Sequence, residues 1–206
     1  MKKSTLVLLK TLTWAACLIP FARLAYGAVV NQLGPDPTRT ITFMTGLAAL
    51  RLLVLSLAIT PARRLFPRLS WLVRFRRLLG LFAFFYASLH LMAYVGLYSY
   101  FDPHTMLTDI LKRPFITFGI AAWLLLVPLA LTSTTGWIRR LGGKRWNLLH
   151  RLVYLSVTLG LLHYWWQVKT GVLTPLGITL VLAALFAARP LLAWRDHRRR
   201  AAQLRA

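Results

Sequence analysis

Residues 147–168 read NLLHRLVYLSVTLGLLHYWWQV, with one formal charge, Arg151, near the start. A helix crosses a hydrocarbon core of about 30 Å in roughly 20 residues, so this run can span a membrane. It carries two histidines, His150 and His163, and a polar side chain in hydrocarbon is costly enough to mark function by default. Working outward with a window of about 19 residues, similar runs fall near residues 6–28, 41–60, 78–100, 115–133 and 172–193. The pattern predicts an all-α membrane protein with six transmembrane helices in a single domain, residues 1–206. Six spans would use about 120 residues, leaving short connections and no room for a soluble catalytic domain.

Composition agrees. Of 206 residues, 58% are hydrophobic and 13% aromatic, and the mean hydropathy of +0.60 exceeds that of soluble domains. Lys and Arg number 26 against four acids, Asp36, Asp102, Asp109 and Asp196, with no glutamate, giving +22. Such a surplus otherwise suggests nucleic acid. Here the cations cluster between apolar runs, as orientation signals facing the cytoplasm and anionic lipid do, so membrane lipid is the expected partner and nucleic acid is not. Cys17 is the single cysteine and lies in an apolar run, which excludes a disulfide framework, a cysteine-held iron–sulfur cluster and a cysteine-based zinc site.

The cations also set orientation. Lys2, Lys3 and Lys10 mark the N-terminus; Arg63, Arg64, Arg68, Arg74, Arg76 and Arg77 follow the second run; Arg139, Arg140, Lys144 and Arg145 follow the fourth. A basic tail, residues 195–206, adds Arg195, Arg198, Arg199, Arg200 and Arg205. The alternate connections hold only Arg39, Lys112, Arg113 and Lys169, together with three of the four aspartates. Both termini are therefore predicted to be cytoplasmic. The first run resembles a signal peptide ending at Ala25-Tyr26-Gly27, but it is long enough to span and is read as a retained helix. Pro35, Pro37, Pro61, Pro114 and the pair Gly142-Gly143 punctuate the segments, and no internal repeat is evident.

Intramembrane candidates are His90, His150, His163, Arg23 and Arg51, and no Asp or Glu falls within a predicted span. Proton-coupled transporters commonly relay protons through intramembrane carboxylates, so that class loses weight and a role for neutral imidazole gains it. Neutral imidazole ligates iron, and haem takes axial ligands from helices facing one another. At 1.5 Å per residue His90 lies about 18 Å, and His163 about 24 Å, from the cytoplasmic edge. The two are predicted to hold one haem between the third and fifth spans, toward the outer face. His150, about 5 Å from the inner edge, is the candidate for a second redox group; thirteen residues turn an ideal helix by about 220°, so it does not share a face with His163. Arg51, near the middle of the second span, finds no intramembrane carboxylate and is predicted to pair with a haem propionate. His104 and His197 read as solvated. Gly80, Gly96 and Gly160 permit close approach, and Phe84, Phe85, Tyr86 and Tyr94 can pack on a porphyrin or face lipid.

In order along the chain, certain blocks are specific. They are Leu33-Gly34-Pro35-Asp36-Pro37, Thr45-Gly46 followed by Ile59-Thr60-Pro61, and Arg76-Arg77-Leu78-Leu79-Gly80-Leu81 running into His90. Arg113-Pro114 with Gly119, Leu131-Thr132-Ser133, and Gly143-Lys144-Arg145-Trp146 with Leu149-His150, Val153-Tyr154-Leu155 and His163-Tyr164 complete the set. Through them the chain resembles the MsrQ (YedZ) family, in the ferric-reductase-like transmembrane group. The resemblance implies haem b held at His90, His150 and His163, with FMN also a cofactor. It implies electron flow from the quinone pool or a cytoplasmic flavin reductase to MsrP, a periplasmic molybdopterin enzyme that repairs methionine sulfoxide in envelope proteins, and hence a bacterial inner membrane location. Larger ferric reductases and NADPH oxidases carry two histidines on each of two helices and a fused flavin domain; here the third span has His90 alone. The alternatives are a quinol or metal reductase acting directly at the outer face, and a transporter or assembly factor with structural histidines.

Overall fold

The computed structural model describes residues 3–168 and 171–203. Lys2, Lys169 and Arg205, used above for orientation, lie outside the described residues. Eight α-helices follow in order: α1 Lys3–Val29, α2 Pro37–Leu65, α3 Arg76–Ala93, α4 Pro103–Lys112, α5 Pro114–Leu131, α6 Thr135–Leu149, α7 Leu152–Gln167 and α8 Leu173–Gln203. A 3-10 stretch, Pro67–Phe75, leads into α3, and a π-helical turn, Tyr94–Tyr98, extends it. No strand occurs among the described residues.

Five stretches are long and apolar enough to cross a membrane: Lys3–Val29, Pro37–Leu65, Pro67–Tyr98, Pro114–Leu131 and Leu173–Arg198. The apolar run at residues 147–168 is divided between two helices. Residues 147–149 close α6, His150 and Arg151 make a turn, and α7 then runs for 16 residues, about 24 Å at 1.5 Å per residue. The turn is pinned from the neighbouring helix end: the Trp146 indole N–H donates to the Thr132 carbonyl at 2.9 Å. Gly142, at φ +72°, breaks α6, in keeping with the glycine pair there. Hydropathy does not reveal α4, because its ten residues are amphipathic and too short to read as a span; Asp102 caps it, accepting from the backbone N–H groups of His104 and Thr105.

The core lies where two helix hairpins, α2–α3 and α5–α7, meet. Leu50, Leu53, Leu57, Ala83, Leu126, Val157 and Leu161 are buried together, with Leu182 of α8 closing one side. Outward faces keep large apolar side chains exposed, among them Leu55, Leu124, Leu155 and Leu180, as expected of surfaces solvated by lipid. Helix α1 is the most peripheral span: Cys17 and Gly27 are its buried residues.

Two helix defects are repaired by side chains of other helices. One residue past Pro20, the fully buried Tyr86 of α3 inserts its hydroxyl into the α1 ladder, accepting from Phe21 N–H at 3.1 Å and donating to the Cys17 carbonyl at 2.6 Å. In α2, Pro61 cannot donate to the Leu57 carbonyl; Arg189 of α8 donates to it instead at 2.8 Å.

Candidate functional site

His90 of α3 and His163 of α7 face one another with ring centroids 5.7 Å apart and planes crossed at 83°. Both are partly buried between the hairpins. His90 Nδ1 lies 2.8 Å from the Thr42 carbonyl, and His163 Nδ1 lies 2.7 Å from the Phe115 carbonyl. A carbonyl oxygen only accepts, so each Nδ1 carries the proton. In a neutral imidazole this leaves Nε2 bare, a lone pair fixed in direction by the bond behind it, as outer hydrogen-bond partners fix metal-bound histidines.

Each carbonyl is reachable for the same local reason. A helical Cβ points toward the helix N-terminus, so the side chain of residue i+4 covers the carbonyl of residue i. Four residues after Thr42 and after Phe115 stand glycines, Gly46 and Gly119. A Cβ on Gly46 would lie 2.9 Å from His90 Nδ1, and one on Gly119 would lie 2.9 Å from His163 Nδ1. Gly46 and Gly119 stand in the family blocks, but the glycines read as permitting close approach are elsewhere: nothing lies within 4 Å of a Cβ placed on Gly160, and Gly80 and Gly96 meet Ser56 and Phe101.

These contacts expose an internal repeat that is not evident along the sequence. Phe115, Gly119 and His163 each lie 73 residues after Thr42, Gly46 and His90, and Gly46-Leu47-Ala48-Ala49 is matched by Gly119-Ile120-Ala121-Ala122. Thr42 and Phe115 correspond only through their carbonyls, and outside residues 46–54 and 119–127 and the two histidines few residues agree at this spacing, so the correspondence is faint along the chain. At the other end the match stops, for the residue 73 before His150 is Arg77.

The structure brings His90 and His163 together and leaves the other predicted site residues apart. His150 stacks on Trp146 at 3.9 Å, with its Nε2 3.1 Å from Thr132 Oγ1. Arg51 is exposed on α2 and lines a cavity with Thr13, Cys17, Met44 and Leu55. His104 and His197 are exposed, as expected of solvated groups, and so is Arg23. Of the aromatic residues near His90, Phe84 stacks on Trp123, Phe85 meets Phe21 edge-on, Tyr86 bridges α1, and the Tyr94 hydroxyl donates to Asp109. They serve helix packing.

The facing pair suits one kind of group. Metal–imidazole bonds of about 2 Å, placed in line, set two Nε2 atoms roughly 4 Å apart and the ring centroids roughly 6 Å apart, which the 5.7 Å spacing meets. Among the described residues no group of three or more His, Cys, Asp or Glu side chains converges, so the donor set is that of an axially ligated macrocycle rather than a metal caged by protein.

A helical membrane bundle with one pair of opposed imidazoles is the framework of transmembrane redox proteins, and residues 45–161 match the family described as "Ferric reductase like transmembrane component". Relatives extend the likeness over nearly the whole chain. A protein-methionine-sulfoxide reductase heme-binding subunit MsrQ of Herminiimonas arsenicoxydans is 49% identical over 191 residues, 92% of this chain and 87% of that protein. The like-named protein of Caulobacter vibrioides is 48% identical, over 89% and 84% of the two chains; that of Xanthomonas oryzae pv. oryzae is 46% identical, over 98% and 96%. The chain belongs to the MsrQ family of ferric-reductase-like transmembrane proteins.

Proposed function

We propose that this protein is a haem b electron carrier of the bacterial inner membrane, in which His90 and His163 would hold the haem iron between α3 and α7. The observation that carries the reading is the opposed pair, each imidazole with Nδ1 tied to a main-chain carbonyl and Nε2 left free. The haem-binding names of the relatives support it. Bound haem supplies one-electron chemistry, its iron alternating between ferric and ferrous. The protein's own part is to hold two neutral imidazoles at fixed separation, so that neither ligand moves when charge changes. Burial excludes water, and the absence of any glutamate, with all four aspartates outside the pair, removes groups that would protonate in its place.

In this reading α7 crosses the membrane with its flanking residues as a sixth span, both termini face the cytoplasm, and the histidine pair lies in the outer half. Electrons enter from the quinone pool or a cytoplasmic flavin reductase and leave to MsrP, which repairs methionine sulfoxide in envelope proteins. The protein is the electron-transfer subunit and not the enzyme that meets the sulfoxide. Arg51 is proposed to pair with a propionate, and His150 to contact a second redox group near the inner face, where its stacking on Trp146 holds the ring still. For FMN the described residues offer no comparable paired geometry, and no electron is routed through it.

A visible spectrum of the purified protein tests the reading. A Soret band that shifts on dithionite, lost in His90→Ala and in His163→Ala and kept in His104→Ala, is expected. A colourless, folded preparation that still passes electrons to MsrP would overturn it.

A further inference from the structure

At the inner end of the bundle, opposite the histidine pair, guanidinium groups outnumber the carboxylates beside them among the described residues. Arg189 of α8 donates to the Leu57 carbonyl and the Tyr154 hydroxyl and lies over the Tyr154 ring at 4.8 Å. Two turns further along α2, Arg195 of α8 donates to the Arg64 carbonyl at 3.2 Å. Arg76, at the start of α3, reaches Thr60 Oγ1 at 3.4 Å, so guanidinium groups of α3 and α8 meet α2 between residues 57 and 64. Four arginines from three helices thus share one corner. The single carboxylate beside them is Asp196, 3.5 Å from Arg195 and partly exposed; Asp36, Asp102 and Asp109 sit beyond the other ends of α2 and α3 as helix caps or in the Arg113 pair. Two donors are left over, for Arg189 Nε and Arg195 Nε are buried with no hydrogen-bond partner among the described residues.

Buried guanidinium N–H groups without acceptors, beside like charges, are costly. An anion with several oxygens removes both penalties, since it accepts from more than one guanidinium and neutralises their repulsion. We propose that Arg64, Arg76, Arg189 and Arg195 form a phosphate-binding site at the inner mouth of α2, α3 and α8. A carboxylate offers two oxygens on one edge, whereas a phosphate offers acceptors in several directions to arginines arriving from separate helices. The phosphate belongs either to an anionic phospholipid of the inner leaflet or to a soluble phosphorylated molecule. The site is independent of haem and of the electron route.

The test is thermal unfolding of the full-length protein, followed by circular dichroism in a zwitterionic detergent. One arm adds phosphatidylglycerol, with phosphatidylcholine as control; the other adds inorganic phosphate, with chloride at matched ionic strength as control. A rise in the midpoint with phosphatidylglycerol alone identifies a lipid headgroup, and a rise with inorganic phosphate as well identifies a soluble phosphate; either supports the site. Arg195→Gln is expected to weaken the effect about tenfold, the scale of one lost charge-assisted hydrogen bond, while Arg140→Gln, at the same end but stacked on Trp137, leaves it unchanged. Arg189→Gln also frees the Leu57 carbonyl and can unfold the chain, so Arg195→Gln is the deciding variant, with Arg76→Gln as its independent repeat. No rise in either arm, or a rise that persists in both variants, or one lost equally in Arg140→Gln, overturns the proposal.

Discussion

Replacing Gly46 or Gly119 with alanine tests how this fold aims its imidazoles. The new methyl would stand 2.9 Å from the Nδ1 and 3.0 Å from the Cε1 of the facing histidine, where ordinary contact begins at 3.4 Å. The ring must therefore withdraw by about half an ångström, and the bonds to Thr42 and Phe115, now 2.8 and 2.7 Å, stretch past the usual limit of about 3.2 Å for N–H···O. Overpacking of this kind costs about 1–3 kcal/mol, so haem affinity should fall between roughly fivefold and a hundredfold at 1.4 kcal/mol per decade. The helix itself gains, because alanine is favoured over glycine in a helix interior by about 1 kcal/mol. A merely unstable variant is thereby separated from a mis-aimed one. Haem-to-protein ratio and Soret position, read beside helical content by circular dichroism, should show lost or shifted haem in a protein as helical as the parent. Gly160→Ala, with open space at its Cβ, should match the parent throughout. Full haem occupancy with an unshifted Soret band in both Gly46→Ala and Gly119→Ala would refute the reasoning.

Further expectations follow from other parts of the structure. Tyr86→Phe leaves the Phe21 N–H and the Cys17 carbonyl without the bridging hydroxyl and should destabilise the protein by about 1–3 kcal/mol, read as a lowered unfolding midpoint, while the exposed Tyr98→Phe changes nothing. His150→Ala should keep the Soret band of the outer pair and slow reduction from the cytoplasmic side, measured by stopped-flow reduction; bleaching of the whole spectrum would show that the two levels are one site. Asp102 is held below the ordinary carboxylate range, first by the Thr105 hydroxyl and then by the N–H groups of Thr105 and His104. A depressed carboxyl contributes its capping above its unfolded value and loses it as pH falls through the lowered one, so amide exchange in α4 should quicken only on strong acidification, and Asp102→Asn should remove that pH dependence.

How far the sequence is legible depends on whether a signal is local. Apolar runs and prolines locate α1, α2, α3, α5 and α8, because hydrocarbon solvation acts on every residue of a span, but α8 continues ten residues beyond the predicted end at 193 into the basic tail. That His90 and His163 lie at a similar level is legible from depth, since rise per residue is a fixed length; that their rings face one another is seen only in the fold. The break of residues 147–168 at His150 is not legible: it depends on Trp146 reaching Thr132, a contact made by two helix ends. The same holds for Gly46 and Gly119, whose meaning appears only when a histidine 44 residues further on leans over the helix. Phe84 and Phe85 read as porphyrin or lipid contacts because aromatic composition does not say which neighbour a ring meets.

The repeat gives that last point physical weight. In each hairpin an uncovered carbonyl near the start of one helix takes the Nδ1 proton of a histidine near the end of the other, so each imidazole is held by its own hairpin and needs nothing from the opposite one. Pairing the hairpins then brings the two rings within 5.7 Å of one another, over a core that includes Ala83, Leu126 and Val157. Ligand aim and ligand spacing are in this way controlled by different residues. Truncating a spacing residue, as in Val157→Ala, should alter haem affinity while leaving the carbonyl bonds intact; changing an aiming residue should alter both. At the inner end the correspondence lapses, with Arg77 standing where a second histidine pair would need a partner for His150. One opposed pair is therefore what the duplicated architecture builds, and any group near His150 is held by contacts that the other half does not supply.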